Sequence, residues 1–250
     1  KNFRTISGDH VLATSGSYSH DNEALDEIQI IGQDFYLWDV SNDPPGGAPE
    51  VDVKYFEIIR LQQGTNLRMN GGKLTAGDDI AGKLLDIDAT SRITGGGTVN
   101  HDVVNNGIID LGQDKPDARF NINGAYTGTG RILMSTYLGD DYSNTDSIYI
   151  SGNVSGSTVL AIQPVAGSIG AQTLEGIPVV VLDGTGQTVD PNAFKLLAPL
   201  TTENGLWQYS LQLGKNRYNA LQQAFVLTSN VPTPTPSPSP TSSPTPSPSP

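Results

Sequence analysis

The sequence predicts an all-β protein whose strands stack as the coils of a parallel β-helix, which is a solenoid fold. In the stretch from Gly124 to Gly184, short β-prone runs alternate with Gly, Asn, Ser and Thr, and no run is periodic enough for a helix. Glycine also recurs at intervals of 22 to 24 residues, close to the length of one coil. The intervals run from Gly72 to Gly95, from Gly130 to Gly152 and from Gly152 to Gly176. The interval from Gly95 to Gly130 breaks this rhythm.

The N-terminal part is predicted to contain polar, turn-rich chain, several strands and a projecting loop. Residues 1–24 are rich in Ser, Gly, Asp and Asn, which favour turns. Strands are expected at Ile28–Ile31 and Phe35–Val40, and β character resumes at Val51–Leu61. The segment Ser41–Glu50 between them is expected to be a loop, because its three prolines lack the N–H that a central strand donates.

Within the coils, alternating apolar residues predict that one side of each strand faces a core. Leucine or isoleucine alternates with aspartate at 85–88 and at 109–111, and Ile148 and Ile150 flank Tyr149. Asn-Gly sequences, such as those at 105–107 and 70–72, suit the positive φ angles of tight solenoid corners.

The pattern changes after Gly184 and predicts a separate element at the C-terminal end. Leu206–Lys215 alternates apolar with polar residues, and Ala224–Thr228 is a second apolar run. We expect these runs to form a β-hairpin cap, because the last coil of a solenoid otherwise exposes an apolar face and unpaired strand edges. The side chains expected to close the stack are Trp207, Tyr209, Leu211, Leu213 and Phe225.

The chain is therefore divided into three segments. Residues 1–123 are predicted to form β-helix coils with the projecting loop at 41–50, and residues 124–230 the C-terminal coils with their cap. Residues 231–250 form a linker in which Pro alternates with Thr or Ser. This linker is expected to remain a disordered polyproline II spacer, because it has no apolar side chains with which to offset the entropy of ordering.

Composition argues against several classes of function. The net charge of −12 and the scattered basic residues argue against a nucleic-acid partner. The absence of cysteine excludes disulfides, thiolate metal sites and cysteine nucleophiles. No window approaches 18 consecutive apolar residues, so no membrane-spanning helix is expected. Because the chain begins at Lys1 with no signal sequence, it is interpreted as an internal fragment.

No catalytic, cofactor or metal site is predicted. The three histidines, His10, His20 and His101, show no metal-ligand spacing and are interpreted as surface or structural residues. Asp86 and Asp88 share a strand face, as paired carboxylates do in β-helical glycosidases and lyases, but a solvent-facing strand is the favoured interpretation. The acidic segments at 77–79 and 139–144 match no calcium-loop pattern, and Asx turns explain them.

The region from about Gly95 to Ser229 resembles the C-terminal passenger region of Gram-negative autotransporters of the pertactin type. Trp207 and Tyr209 match that family's aromatic strand, whereas 224–229 departs from its usual aromatic pair. The resemblance is strongest from Gly124 to Gly184. Its recurring positions there are Tyr126 to Gly130, Leu138 to Asp140, Thr145-Asp146, Gly152, Gly156, Gly170 to Thr173 and Gly176-Ile177.

The resemblance implies a right-handed parallel β-helix, export by type V secretion and display on the bacterial surface or release after cleavage. It implies an autochaperone role, in which 124–228 emerges first, folds, and templates the coils that precede it. The implied partner within the same protein is an outer-membrane barrel beyond residue 250. The implied activity is that of a non-enzymatic adhesin or virulence-associated stalk, which binds a host-cell surface or extracellular-matrix ligand or self-associates.

Two other interpretations stay open. One is a secreted β-helical polysaccharide hydrolase or lyase that its Pro-Thr/Ser linker joins to a binding module. The other is the stalk of an enzyme-bearing autotransporter with a protease or lipase upstream of Lys1. Residues 22–26 and 41–50 have no counterpart that we can place in the family, so a binding surface specific to this protein is expected in the N-terminal third.

Overall fold

The computed structural model describes residues 3–7, 10–11, 25–31, 34–36, 50–52, 56–69, 71, 73–75, 84–112 and 115–230. Over these residues the protein is all-β, and no helix occurs in them. Residues 41–49 of the loop expected at 41–50, the acidic segment at 77–79, His20 and the linker at 231–250 lie outside the described residues. Glu50, placed in the expected loop, is instead the first residue of a strand.

The described strands form three sheets, and between Leu25 and Leu182 each coil contributes one strand to each sheet. The first sheet contains β1 (Phe3–Ser7), β3 (Leu25–Ile31), β6 (Phe56–Gln62), β9 (Leu84–Ile87), β12 (Asp102–Asn105), β15 (Tyr126–Gly128) and β18 (Val154–Gly156). The second contains β2 (His10–Val11), β4 (Asp34–Tyr36), β7 (Asn66–Arg68), β10 (Arg92–Thr94), β13 (Ile108–Asp110), β16 (Arg131–Thr136), β19 (Thr158–Pro164) and β21 (Phe194–Leu196). The third contains β5 (Glu50–Asp52), β8 (Lys73–Thr75), β11 (Gly97–Asn100), β14 (Arg119–Ile122), β17 (Ser147–Ile150), β20 (Ile177–Leu182), β24 (Asn219–Asn230), β23 (Gln208–Asn216) and β22 (Leu200–Thr201).

The stacked strands pair in parallel along the solenoid. β9, for example, lies between β6 and β12 in the first sheet, and β10 lies between β7 and β13 in the second. A parallel pair requires a crossover connection, and here the other two strands of the same coil supply it. The predicted parallel β-helix is confirmed.

The coils differ in length, which explains the broken glycine rhythm. Leu85 pairs with Val103, Val103 with Tyr126 and Tyr126 with Val154, so successive coils at this corner span 18, 23 and 28 residues. A strict repeat therefore does not exist at the level of sequence. Core-facing side chains keep their register because insertions fall in the corners and loops between strands.

Equal glycine spacing did not identify equivalent corners. A Cβ added to Gly130 would lie 2.2 Å from the carbonyl oxygen of Gly107, whereas one added to Gly152 would lie 2.5 Å from the carbonyl carbon of Gly124. Gly130 and Gly152 therefore stack on different partners, and the interval between them is not one coil. Close stacking of one backbone on the next explains the absence of a side chain at each position.

The expected corner at 105–107 is present, but its glycine is required for another reason. Gly71 has a φ of +79°, as predicted for its Asn-Gly sequence. Gly107 does not adopt a positive φ; a Cβ there would instead lie 2.2 Å from the carbonyl oxygen of Ser91 and 2.3 Å from that of Asp88. The constraint at Gly107 is the short distance to the preceding coil.

The core lies inside the solenoid and is built from the predicted alternation. Leu85, Ile87, Ile109, Ile148 and Ile150 are fully buried. The intervening residues of these strands are partly exposed. Each coil thus adds a layer of aliphatic side chains to one continuous core, and that layering provides the main stabilising term of a solenoid.

The C-terminal hairpin closes one edge of the stack. β23 and β24 pair antiparallel, and β24 also pairs antiparallel with β20, the last coil strand of the third sheet. The open edge of β20 is thereby covered. The predicted hairpin cap is confirmed, with strands at 208–216 and 219–230, and the second strand is longer than the apolar run at 224–228.

Candidate functional site at the C-terminal cap

Four of the five side chains that were predicted to close the stack lie in the hairpin strands, and Trp207 immediately precedes the first of them. Tyr209 and Phe225 are buried, whereas Trp207, Leu211 and Leu213 are partly buried and pack against the core. All five therefore contact the stack, with unequal burial. Their role in closing it is developed as a proposal below.

An aromatic series links the cap to the coils. The ring of Phe225 meets that of Phe194 edge-on, with centroids 4.9 Å apart, and Phe194 stacks on Tyr126 at 5.5 Å. The hydroxyl of Tyr126 accepts a hydrogen bond from Asn105 Nδ2 at 3.1 Å and shares another with Thr158 Oγ1 at 2.8 Å. Burial raises the pKa of Tyr126 to about 12, so its phenol stays neutral at physiological pH.

The hairpin rests on the loop at 165–176, which connects β19 to β20. Gly170 has a φ of +78°, and a Cβ there would lie 2.3 Å from Cδ1 of Trp207. Gly176 has a φ of +91°, and its Cβ would lie 2.8 Å from Cβ of Val226. Glycine at these two positions allows both the left-handed backbone and the close approach of the cap.

Tyr209 ties two loops to the hairpin. Its hydroxyl donates to the carbonyl oxygen of Gly139 at 2.7 Å and accepts from the backbone N–H of Ala171 at 3.1 Å. Burial raises the pKa of Tyr209 above its ordinary value, which keeps this donor protonated. On the same loop, the backbone N–H of Thr173 donates to Ser229 Oγ at 2.7 Å.

Asp141 is a central residue of the site that the sequence did not reveal. Its carboxylate accepts backbone N–H bonds from Leu174 at 3.0 Å, Glu175 at 3.1 Å and Gly176 at 2.7 Å. Its Oδ2 atom also lies 3.3 Å from Nη1 of Arg217, in the turn of the hairpin, and the two side chains are only 10% and 9% exposed. The carboxylate therefore joins one loop, a second loop and the hairpin.

Asx turns were expected to explain the segment at 139–144, and they do so only in part. The backbone N–H of Tyr142 donates to Asp140 Oδ1 at 2.9 Å, which is an Asx turn. The neighbouring Asp141 instead makes long-range contacts. No local spacing signals these contacts, because Arg217 lies far along the chain and the three donors are backbone groups.

A second buried carboxylate, Asp146, holds the preceding coil to this region. It accepts backbone N–H bonds from Ala118 at 2.8 Å and Ser135 at 2.6 Å. Burial raises its pKa above the ordinary value of 3.8, although these hydrogen bonds act in the opposite direction. The folded state therefore holds a proton at Asp146 more tightly than the unfolded state does.

This raised pKa predicts a defined pH dependence. The contribution of Asp146 to stability should be greatest below pH 3.8 and should decline as pH rises through the higher, folded-state pKa. Asp146→Asn loses one accepted hydrogen bond, at about 1–3 kcal/mol, but does not titrate. The wild type should therefore exceed the variant in unfolding free energy by more at about pH 3.5 than at about pH 7. Urea unfolding at both pH values measures the difference in unfolding free energy between wild type and variant. A difference that is equal at the two pH values, or larger at the higher one, would contradict the prediction.

Asp86, Asp88 and His101 occupy structural positions. Asp86 forms an ion pair with Arg60 on the neighbouring coil, and Asp88 accepts backbone N–H bonds from Gln63 at 3.0 Å and Thr90 at 2.9 Å. Burial opposes ionisation of Asp88, but the hydrogen bonds from Thr90 and Gln63 help to lower its pKa. His101 is buried.

No group of three or more His, Cys, Asp or Glu side chains in the described part of the chain is arranged to hold a metal ion. None of the elements seen in the described ranges is a helix long and apolar enough to cross a membrane.

Comparison with known proteins matches the region just described. Residues 89–211 match the family described as Autochaperone Domain Type 1. The matched segment extends from the turn after β9 into β23. The chain is 31% identical over 166 residues to the adhesin BmaC autotransporter of Brucella suis. The aligned segment covers 54% of this chain and 5% of that relative. The family match and this relative support an autotransporter passenger with an autochaperone region.

Two relatives from Escherichia coli K12 extend the comparison. The passenger is 29% identical over 176 residues to the probable autotransporter YfaL, and the aligned segment covers 64% of this chain and 14% of that relative. It is 38% identical over 112 residues to the uncharacterized protein YuaQ, and the aligned segment covers 44% of this chain and 8% of that protein. The chain thus spans a small part of each relative. As an autotransporter passenger with an autochaperone region, it is exported to the cell surface or released from it.

Proposed function

We propose that residues 124–230 act as an autochaperone unit that folds first and templates the coils before it. The observation that supports this most directly is the pairing of β24 with the open edge of β20, together with the contact of Phe225 with Phe194. A coil that is already stacked offers the next coil a row of unpaired backbone groups and an apolar layer. Each coil that stacks on this template buries apolar surface, and that free energy favours outward movement of the exported chain without ATP.

The five cap residues are proposed to stabilise this template by completing its last layer. Tyr209 and Phe225 fill buried positions, and Trp207, Leu211 and Leu213 shield the apolar edge that the coils would otherwise expose. Domain limits at 123/124 and 230/231 are proposed on the same basis. The first limit falls just before β15, whose Tyr126 begins the aromatic series that reaches the cap.

We further propose that the whole passenger acts by display and contact rather than by turnover. Support comes from the relative that is named an adhesin and from the autochaperone family match, neither of which points to catalysis. A ligand on a host-cell surface or in the extracellular matrix is the proposed partner, with self-association between passengers as the alternative partner. The binding surface is proposed to lie in the N-terminal third, away from the cap.

Replacement of Trp207 and Leu211 by serine tests both parts of the proposal. Both side chains are half-buried at the cap, so the double variant should lose about 2–3 kcal/mol of unfolding free energy. In the full-length autotransporter it should reach the surface poorly or be digested there by added protease. Adherence of the bacteria to cultured cells should fall in proportion to the displayed protein.

The matched control is Leu206→Ser with Leu221→Ser, which removes side chains of the same hairpin region that are 61% and 96% exposed. This control should be displayed and should resist protease as the wild type does. Wild-type protease resistance of the Trp207/Leu211 variant would contradict the capping role. Bacteria that display the intact passenger but adhere no better than bacteria without it would contradict the adhesin role instead.

A further inference from the structure

Three chain segments that are distant in sequence meet at one carboxylate. The loop at 137–146, between β16 and β17, supplies Asp141. The loop at 165–176 supplies the backbone N–H groups of Leu174, Glu175 and Gly176, and the turn between β23 and β24 supplies Arg217. We call this set, Asp141 with Arg217 and the amides of 174–176, the Asp141 clasp.

The clasp brings together groups that depend on one another. An ionised carboxylate accepts hydrogen bonds at both oxygens, and three backbone N–H groups donate to Asp141. Nη1 of Arg217 adds an ion-pair contact at 3.3 Å without a hydrogen bond. Both charged side chains are about nine-tenths buried, so either charge without the other would be strongly unfavourable. The ring of Tyr142 covers the guanidinium, with its centroid 3.3 Å from Cζ of Arg217.

The position of the clasp relates it to the edge that the cap closes. Gly176, whose N–H donates to Asp141, immediately precedes Ile177, the first residue of β20. Ile177 in turn pairs with Leu227 of β24. The backbone orientation that Asp141 imposes on 174–176 therefore sets how β20 enters its pairing with the hairpin. In the same loop, Ala171 and Thr173 bond to Tyr209 and Ser229 of the hairpin strands.

We propose that Asp141 is a positioning residue that makes docking of the hairpin and ordering of the 174–176 backbone a single cooperative step. Arg217 neutralises the carboxylate as the hairpin docks, and the carboxylate then fixes the loop into the shape that β20 and β24 need in order to pair. The cap forms completely or not at all. This inference rests on the proposed capping function and specifies which charged residue couples its parts.

Hydrogen exchange of the whole chain tests the coupling. In the wild type, the amides of Leu174–Gly176 and those in the centre of β23 and β24 should exchange at matching rates. Asp141→Asn and Arg217→Met should each accelerate both sets by about 100-fold or more, while amides of β9 to β14 keep their rates. The double variant should be no faster than either single variant, because each alone disrupts the same step.

Two further variants make the result decisive. Asp140→Asn changes the adjacent exposed acid and should leave both sets of amides at the wild-type rate. Arg217→Lys keeps the charge but not the planar group beneath Tyr142, so it should keep the two sets matched with a smaller acceleration. If Asp141→Asn fails to fold, the exchange rates of Arg217→Lys test whether the two sets of amides are coupled.

The proposal is overturned if Asp141→Asn accelerates only the amides of 174–176 and leaves the hairpin protected, or if the effects of the two single variants add in the double variant. Failure of the capping function gives a different result. In that case the Trp207/Leu211 variant would leave the coils as stable as in the wild type, whether or not the clasp amides and hairpin amides still exchange together.

Discussion

Replacement of Phe225 by alanine is expected to lower the free energy of unfolding by about 3–5 kcal/mol. Phe225 is 1% exposed, and its neighbours cannot close the space that truncation would leave, because the strand pairs with β20 on one side and β23 on the other. The change also removes the edge-to-face contact with Phe194. Urea unfolding of the complete chain, followed by circular dichroism, measures the loss.

Leu221→Ala provides the matched control on the same strand. Leu221 is 96% exposed, so its truncation should change the unfolding free energy by no more than about 0.5 kcal/mol. A loss below about 1 kcal/mol for Phe225→Ala would show that the cap is only loosely attached to the coils. An equal loss for both variants would show that strand propensity, and not burial, decides the stability of the hairpin.

The fold was predictable from sequence where one local pattern determines one local structure. Alternation of Ile148, Tyr149 and Ile150 placed the isoleucines in the core, because successive side chains of a strand point to opposite faces. The change of pattern at Trp207 and Tyr209 likewise indicated a hairpin of different character from the coils. Both inferences need only neighbouring residues, so neither required knowledge of which coil stacks on which.

Features that depend on contact between distant segments were not predictable. The 18-residue coil from Leu85 to Val103 and the 28-residue coil from Tyr126 to Val154 share no period, and only strand register reveals them. Asp141 and Arg217 are each unremarkable among the acidic and basic residues of the chain. Their importance arises from burial, which removes the water that would otherwise solvate both charges.

Gly156→Ala is expected to have an effect of similar size through a different mechanism. Gly156 has a φ of +109°, and a Cβ there would lie 2.2 Å from the carbonyl oxygen of Gly128, its partner in the neighbouring coil. The substitution should therefore cost about 1–3 kcal/mol in backbone strain and about 1–3 kcal/mol more in forcing the two coils apart. The unfolding free energy of the variant measures the sum.

Gly186→Ala separates the two contributions, because Gly186 has a φ of +69° but no other atom lies within 4 Å of the added Cβ. It should show backbone strain without a clash, and the difference between the variants should give the cost of separating the coils together with the extra strain at a φ of +109°. Equal losses would mean that the corner has room to relax. A larger loss at Gly156 would give a physical reason for the presence of Gly156 among the residues that carry the family resemblance. At this corner the stacking distance leaves no space for a side chain at Gly156, and a Cβ at Gly128 would likewise lie 2.7 Å from the carbonyl oxygen of Asn105 in the preceding coil.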